Sequence, residues 1–342
     1  MAGKRAEEGA RFLQDSRIQD ARIAERLAYL REKGFSNAEV DESYRLFLQR
    51  TSSSENALAS LESPKACCVP PGCCVLGEDK WTQVKLLKKT SCGASTRVFT
   101  FSLPDANKPL GLSTCACILA RAIVGTEKEE VIRPYTPIST NIMKGKFELM
   151  IKIYPNGKMG QHMDAMVNGD SLAFKHIPFN VKIQYPFGKR FVGMICGGTG
   201  ITPMLQALHA LLDPEALRDD KVEKISMLYG SQFSSDILAD DVLSSWEEQS
   251  KGRFKCTRVL SEEPPYAPVY VFPQASSLWK GERGLIDRRL IQAHMPPPEA
   301  DCIILVCGPP PMYNALCGAR DDESISGVLA DLGYSENQVY KF

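Results

Sequence analysis

The chain has 342 residues, of which 44% are hydrophobic and 24% are charged, an ordinary globular composition that argues against disorder over most of its length. Lys plus Arg equal Asp plus Glu at 41 each, so no net charge selects nucleic acid or an anionic membrane surface. The sequence contains neither the apolar run of a signal peptide nor the roughly 20 apolar residues of a membrane-spanning helix. We therefore expect an intracellular protein of two or three packed domains with reduced cysteines.

The first region, residues 1–50, has the apolar periodicity of helices from about Glu7 to Gln49. Ser36 is followed three residues later by Glu39, which is the pattern of a capping box. Gly34 just before this box suits the end of the preceding helix. The pattern predicts a module of three helices.

A linker is predicted over residues 51–80, where Ser and Pro interrupt any regular element. It carries two cysteine doublets, Cys67-Cys68 and Cys73-Cys74. Four thiolates suffice for a zinc ion, but adjacent cysteines do not easily both point at one metal, so no metal site is expected. Acylation of the doublets or an inert linker are the other interpretations.

The remaining chain divides by the period of its apolar residues. Over 81–188 the apolar residues alternate with period two between Gly, Pro and Asn breaks, which predicts an antiparallel barrel. Over 189–342 short apolar strands alternate with helical segments, which predicts a doubly wound parallel sheet. The expected fold class is thus multidomain, with a helical module, a β-barrel and an α/β domain.

Three short motifs follow one another in these two regions. They are Arg-Pro-Tyr-Thr at 133–136, a glycine-rich turn at 197–203 and Cys-Gly-Pro-Pro at 307–310. Arginine offers forked donors to a phosphate, glycine lets a backbone approach a ligand, and a helix N-terminus favours anions. Taken singly, each also suits an edge strand or an ordinary strand-to-helix turn, but their order and spacing are far more specific.

From Trp81 to Phe342 these motifs resemble the ferredoxin-reductase-like flavoenzymes, and among them the NADH-cytochrome b5 reductase family. The resemblance implies FAD against the first motif, with Arg133 on its diphosphate, Tyr135 on its ring and Thr136 beside the flavin N5. A second phosphate contact is implied at the helix start near Gly160, where the family usually has Ser or Thr. The residues expected at FAD are Arg133, Pro134, Tyr135, Thr136, Gly157, Lys158, Met159 and Gly160.

The same resemblance implies NADH at the second and third motifs. Thr136 and Cys307 would lie nearest the reacting rings, with Cys307 packing and orienting them, because hydride passes directly between the cofactors. A buried strand cysteine and an outward strand lysine are the alternative interpretations of Cys307 and Lys152. The residues expected here are Ile151, Lys152, Ile153, Gly198, Thr199, Gly200, Thr202, Pro203, Cys307, Gly308, Pro309 and Phe342.

The choice between NADH and NADPH depends on the residues after the strand at 254–260. Family members have an Asp there for the ribose hydroxyls, whereas this chain has Ser261 followed by Glu262 and Glu263. Two carboxylates would repel the extra phosphate of NADPH, and no Arg follows to bind it. This favours NADH, although a solvated loop would leave the coenzyme undecided.

Residues 10–47 resemble the N-terminal domain of the peroxisomal docking peroxin, through the stretches 12–18, 27–30 and 33–41. In that family two aromatic residues line a groove for a helical peptide with aromatic anchors. Phe12 and Tyr29 match that pair and Lys33 its rim, while Ala21-Arg22 replaces the family's Ser-Pro. The alternative is a small helical cap whose aromatic residues form its own core.

These patterns predict a flavoenzyme that takes hydride from NADH and passes electrons singly to a haem protein such as cytochrome b5. An acidic acceptor protein could contact the three basic residues Lys85, Lys88 and Lys89. The alternative interpretation is a solvated strand face. The alternatives are an NADPH-linked reductase, a general diaphorase, or a peroxisome-associated protein that binds an import-receptor-type peptide. The expected location is the cytosol, or the cytosolic face of a peroxisome-like organelle.

Overall fold

The computed structural model shows N-terminal helices followed by two six-stranded sheets. It describes residues 2–13, 23–40, 42, 43, 46, 58, 61, 74–92, 95–177, 185–213, 221–262, 279 and 281–342. Four residues discussed above, Cys67, Cys68, Cys73 and Glu263, lie outside these ranges, as does the Ala21-Arg22 turn.

The N-terminal module contains helices α1 (Ala2–Leu13) and α2 (Ile23–Glu32), and residues 37–40, 42, 43 and 46 are helical as well. The chain leaves α2 through Gly34, whose φ of +79° is a conformation that glycine adopts freely. The Ser36 amide then donates to Glu39 Oε2 (2.8 Å) and the Glu39 amide to Ser36 Oγ (3.3 Å), which confirms the capping box. The buried residues of the module are mainly aliphatic: Ala6, Ala10, Leu13, Leu27, Leu30 and Val40.

The first sheet is antiparallel, in the order β4-β3-β6-β1-β2-β5. Its strands are β1 (Thr82–Ser91), β2 (Thr96–Ser102), β3 (Ile118–Val124), β4 (Glu129–Tyr135), β5 (Lys146–Lys152) and β6 (Ser171–His176), with helix α3 (Lys158–Ala165) between β5 and β6. In the described part of the chain, β4 and β5 are the two edge strands of this sheet.

This sheet curls without closing, so it is a half-barrel. Strand β1 pairs with β6 through its first residues and with β2 from Leu86 onward, and its register with β2 shifts between Leu86 and Lys88. Such a bulge bends a strand and increases its twist. The rings of Phe101, Phe147 and Phe174 pack together in the buried core, with centroids 4.9–5.6 Å apart.

The second sheet is parallel, in the order β10-β9-β8-β7-β11-β12. Its strands are β7 (Phe191–Gly197), β8 (Lys224–Ser231), β9 (Phe254–Leu260), β10 (Glu282–Arg283), β11 (Cys302–Cys307) and β12 (Val339–Lys341). Its helices are α4 (Ile201–Leu212), α5 (Asp240–Gln249), α6 (Arg288–His294), α7 (Pro310–Leu316) and α8 (Gly327–Asp331).

The two faces of the parallel sheet bury different residues. Along β11, Ile303 and Leu305 join the core that contains α4 and α5, whereas Ile304 and Val306 join the core that contains α6 and α7. Helices therefore cover both faces, as a parallel sheet requires. The predicted fold class is confirmed, with a half-barrel in place of a closed barrel.

Part of the predicted linker packs against the two sheets. Leu58 and Leu61 are buried in the cluster that holds Val98 and Met150 of the antiparallel sheet together with Val192 and other residues of the parallel sheet. Further on, the Val75 amide donates to Leu110 O (3.0 Å). These residues lie in contact with the folded body, which the Ser- and Pro-rich composition did not indicate.

Candidate functional site

A cleft of about 1210 Å³ lies where the two sheets meet. The antiparallel sheet with α3 and the parallel sheet with α4–α8 are called the two halves of the molecule below. With one exception, every residue that the sequence assigned to FAD or NADH lines it. The exception is Ile153, whose side chain is buried in the core of the antiparallel half and whose amide donates to Ser95 O (2.6 Å). The three motifs, far apart in the chain, therefore converge on one cavity.

The first wall of the cleft is the end of β4. Antiparallel pairing sets Arg133 opposite Ala120 and Tyr135 opposite Ile118. The Arg133 guanidinium is exposed and donates to the carbonyl of Ile132 (2.7 Å), which leaves most of its donors available. Burial raises the pKa of Tyr135 to about 12, although the charge of Arg133 opposes this, so the phenol stays neutral. A fixed cation beside a neutral ring suits a phosphate and an aromatic ligand.

Helix α3 directs its N-terminus at the same wall. Gly157 occupies the N-cap position and no side chain caps this end, so the first-turn amides have no partner within the helix. At the other end, Lys89 Nζ donates to Asp164 O and to Met166 O (3.0 Å), and Arg97 Nε lies 3.3 Å from Asp164 Oδ1. Cations at the C-terminus complement the helix dipole and hold the helix in place. This end of the cleft fits the diphosphate of FAD.

The second wall is the glycine-rich turn that joins β7 to α4. The buried Tyr229 hydroxyl donates to Gly198 O (3.2 Å) and accepts the Leu238 amide (3.1 Å), while Thr202 Oγ1 donates to Thr199 O (3.2 Å). These bonds fix the turn, and no side chain caps the N-terminus of α4. The close backbone approach that glycine allows in this turn, at the start of α4, fits the phosphates of a dinucleotide.

The third motif lies directly against this turn. A Cβ added to Gly200 would lie 2.2 Å from the carbonyl oxygen of Cys307, so only glycine allows this approach. Burial raises the pKa of the Cys307 thiol to about 11, against a lowering by its hydrogen bond with Tyr313. A neutral, half-buried thiol is suited to packing, and thiolate chemistry needs a lowered pKa.

The edge of the cleft near β9 carries Ser261. Its amide donates to Ser231 O (3.0 Å), and both residues line the cavity. Glu262 is not among the lining residues, and its carboxylate accepts a hydrogen bond from Gln232 Nε2 (3.1 Å). The expected repulsion of NADPH by Glu262 therefore acts from outside the cavity.

Several cleft residues were missed from the sequence. Cys115 and Cys117 precede β3, and Tyr154, Leu285 and Arg320 lie in loops. Cys115 has a φ of +64°, which is uncommon for a residue other than glycine. The pairing of Ile118 with Tyr135 is the signal that would have found the two cysteines, because it sets their segment beside the first motif.

The described ranges of the chain contain neither a side-chain cluster suited to a metal ion nor a helix suited to cross a membrane. Within these ranges, no group of three or more His, Cys, Asp or Glu side chains is arranged to hold a metal ion. None of the helices described there has the length and apolarity needed to span a bilayer.

Comparison with protein-family models identifies three matching segments. Residues 83–178 match the oxidoreductase FAD-binding domain, and residues 194–318 match the oxidoreductase NAD-binding domain. Residues 5–44 match the Pex14 N-terminal domain. The first two segments contain the three motifs of the cleft and most of the two sheets, although β12 lies beyond residue 318.

Individual relatives lead to the same family. The chain is 36% identical over 271 residues to NADH-cytochrome b5 reductase 2 of Meyerozyma guilliermondii, covering 78% of this chain and 86% of that protein. It is 37% identical over 277 residues to an NADH-cytochrome b5 reductase-like protein of Arabidopsis thaliana, covering 78% of each. The cytochrome b5 reductase domain of Ulva prolifera nitrate reductase superposes with a TM-score of 0.65 at 27% identity, covering 78% of this chain and 99% of that one. The chain belongs to the NADH-cytochrome b5 reductase family of FAD- and NAD-binding oxidoreductases.

Proposed function

We propose that this protein transfers electrons from NADH, through FAD, to cytochrome b5 or a similar haem protein. The observation that carries the proposal is the convergence of the three motifs on one cleft, with Thr136 and Cys307 contributed by opposite halves. When bound, FAD accepts a hydride from NADH and releases the two electrons one at a time. The curated relatives bear the name of this reaction, and the chain spans most of their length.

The chain's own residues would bind and orient the two cofactors. Arg133 and the first turn of α3 hold the diphosphate of FAD, and Tyr135 packs on its ring system. The turn at 198–200 and the start of α4 hold the phosphates of NADH. Thr136 and Cys307 then set the contact between the two reacting rings, with no proton transfer required of the neutral thiol.

The test is an anaerobic titration of the FAD-loaded protein with NADH, followed by mixing with oxidised cytochrome b5. We expect NADH to bleach the flavin absorbance, and the haem to be reduced with two equivalents for each NADH. Bleaching without haem reduction, but with reduction of ferricyanide, would favour a general diaphorase. A protein that neither binds FAD nor reacts with NADH would overturn the proposal.

The acceptor surface is assigned to Lys85 and Lys88, which are exposed on β1. Lys89 does not belong to this surface, because its ammonium group is committed to the end of α3. Replacing Lys85 and Lys88 together by Glu should raise the KM for cytochrome b5 and leave the KM for NADH unchanged. Lys255→Glu, an exposed lysine on β9, is the control. Equal effects of both changes would exclude a specific acceptor surface.

A second function, peptide binding by the N-terminal module, is favoured by one observation. The rings of Phe12 and Tyr29 stack with centroids 5.1 Å apart, and Lys33 Nζ lies 5.1 Å from the Tyr29 ring centroid. Tyr29 is 42% exposed, and the module already has an aliphatic core, so the pair is not that core. A stacked pair of which Tyr29 is exposed and Phe12 half-buried suits a helical peptide with aromatic anchors, and residence on the cytosolic face of a peroxisome-like organelle would go with it.

Titration of such a peptide into the full-length protein tests this second proposal. We expect the double variant Phe12→Ala and Tyr29→Ala to lose binding while NADH still reduces the flavin at the original rate. Unchanged peptide affinity in the double variant, or no affinity in the original protein, would exclude the site.

A further inference from the structure

One side chain joins the two halves of the molecule directly behind the cleft. Gln206 lies on the second turn of α4, and its Nε2 donates to the carbonyl oxygens of Pro137 and Ser139, at 2.7 Å each. An amide NH2 group has two donors, so both are used. Gln206 is not one of the residues that line the cleft.

The acceptors belong to the segment that directly follows Thr136. This segment is itself fixed to β5, because the Ile138 amide donates to Glu148 O (2.9 Å) and Ser139 Oγ accepts the Glu148 amide (2.9 Å). The two carbonyls that Gln206 contacts are therefore attached to the antiparallel sheet at fixed positions.

The donor is equally well fixed on the other half. The residues around Gln206 on α4 are fully buried, and this helix begins at the glycine-rich turn. A further bond nearby, from Cys115 Sγ to Pro203 O (3.2 Å), crosses between the halves at the first turn of α4. A displacement of α4 would thus move the glycine-rich turn relative to Thr136.

We propose that Gln206 is a positioning residue for hydride transfer, which sets the distance between the nicotinamide turn and the flavin contact at Thr136. Hydride transfer is sensitive to this distance, since a displacement of about 1 Å from productive geometry can cost on the order of 100-fold in rate. The inference rests on NADH-dependent reduction of the flavin, which is part of the proposed function.

The test compares Gln206→Glu with Gln338→Glu in the FAD-loaded, full-length protein. Gln338 is a matched control, because its Nε2 also donates to two carbonyls, those of Pro298 (2.7 Å) and Ala300 (3.4 Å), but within one half. We expect Gln206→Glu to slow flavin reduction by NADH by about 10- to 100-fold while the Kd for NADH changes little. The control should reduce its flavin at the original rate.

Two further measurements, the pH dependence of flavin reduction and amide exchange, distinguish a positioning role of Gln206 from a general loss of folded structure. A carboxylate at position 206 would face two carbonyl oxygens, which raises its pKa. Lowering the pH converts it to a neutral acid that can donate one hydrogen bond, so the rate should recover toward acidic pH in this variant only. In addition, amide exchange without NADH should accelerate in the first turn of α4.

Each outcome decides the proposal. A Gln206→Glu protein with the original rate of flavin reduction, or with a slow rate that does not depend on pH, would overturn it. If that variant does not retain FAD, Gln206→Met replaces it, and reduction of its flavin at the original rate would also overturn the proposal. Failure of the original protein to react with NADH would instead refute the proposed function.

Discussion

The hydroxyl of Tyr313 donates a hydrogen bond of 2.7 Å to the main-chain oxygen of Phe342. Tyr313 is buried on α7, just after the third motif, and the Phe342 amide donates to Val306 O (3.1 Å) on β11. The position of the aromatic ring of Phe342 in the cleft is thus fixed by the strand and helix that flank the third motif.

Tyr313→Phe should loosen this attachment. Removing the hydroxyl deletes its hydrogen bond to Phe342 O together with a longer one to Val306 O (3.3 Å). The bond to Phe342 is worth about 1 kcal/mol, so amide exchange of Phe342 should accelerate about 5-fold. Exchange measured by NMR checks this, with Tyr334→Phe as the control, because Tyr334 makes a comparable bond to Pro296 O (2.5 Å) away from Phe342. Equal acceleration in both variants would show that the effect is general to this half.

Gly200→Ala should disrupt the contact between the second and third motifs. Its Cβ would lie 2.2 Å from the carbonyl oxygen of Cys307, so the free energy of unfolding should fall by about 1–3 kcal/mol and reduction by NADH should slow. Gly77→Ala is the control, since the nearest atom to its Cβ is 3.9 Å away. Urea unfolding measures the stability of the two variants, and equal stability would contradict the close approach.

Gly160→Ser should strengthen the hold on FAD. Position 160 lies in the first turn of α3, and a Cβ there meets only ordinary contacts, the nearest 3.7 Å from Ile153 Cα. The added hydroxyl can donate to a phosphate, so FAD should dissociate about 10-fold more slowly. Gly160→Ala adds the carbon without the hydroxyl and separates this effect from helix propensity. Equal dissociation rates for the two variants would exclude a phosphate contact at this position.

Ser261→Asp should increase the preference for NADH over NADPH. A carboxylate inside the cleft would repel the extra phosphate of NADPH, which we expect to raise the ratio of the two kcat/KM values by about 10-fold. Glu262→Gln should change the ratio much less, because the Glu262 carboxylate does not line the cavity and is bound to Gln232 at its edge. If Glu262→Gln alone changes the ratio, then Glu262 determines the choice of coenzyme.

Leu61→Ala should destabilise the part of the protein that contains the two sheets, even though Leu61 falls in the predicted linker. Its side chain is 0% exposed within the core shared by the two sheets, so the loss should be about 2–5 kcal/mol in the free energy of unfolding. Leu87→Ala is the matched control, since Leu87 is 46% exposed and its loss should change stability by about 0.5 kcal/mol or less. An unchanged free energy of unfolding in Leu61→Ala would mean that the burial of this side chain contributes nothing to the stability of the fold.

The sequence predicted the fold class and the motif residues that line the cleft, because ligand-binding turns require particular residue types. Glycine at Gly200 and the Arg133 guanidinium can be recognised from local sequence, and the order of the motifs fixed their common location. Strand β12 was missed because its three residues are too few to show a period.

Residues whose roles depend on partners distant in the chain were also missed. Gln206 looks like any polar position on a helix, and only the folded structure brings it to Pro137 and Ser139. Lys89 similarly looked like one of three surface lysines, although its ammonium group holds the C-terminus of α3. Tertiary contacts of this kind leave no local pattern.

The burial of Leu58 restricts how far the N-terminal module can move from the catalytic half. Leu46 is the last described residue of the module, and twelve positions separate it from Leu58. A chain of that length spans at most about 40 Å when fully extended. A protein captured by the module would therefore be held at a local concentration on the order of millimolar beside the electron-transfer cleft, whatever its concentration in free solution.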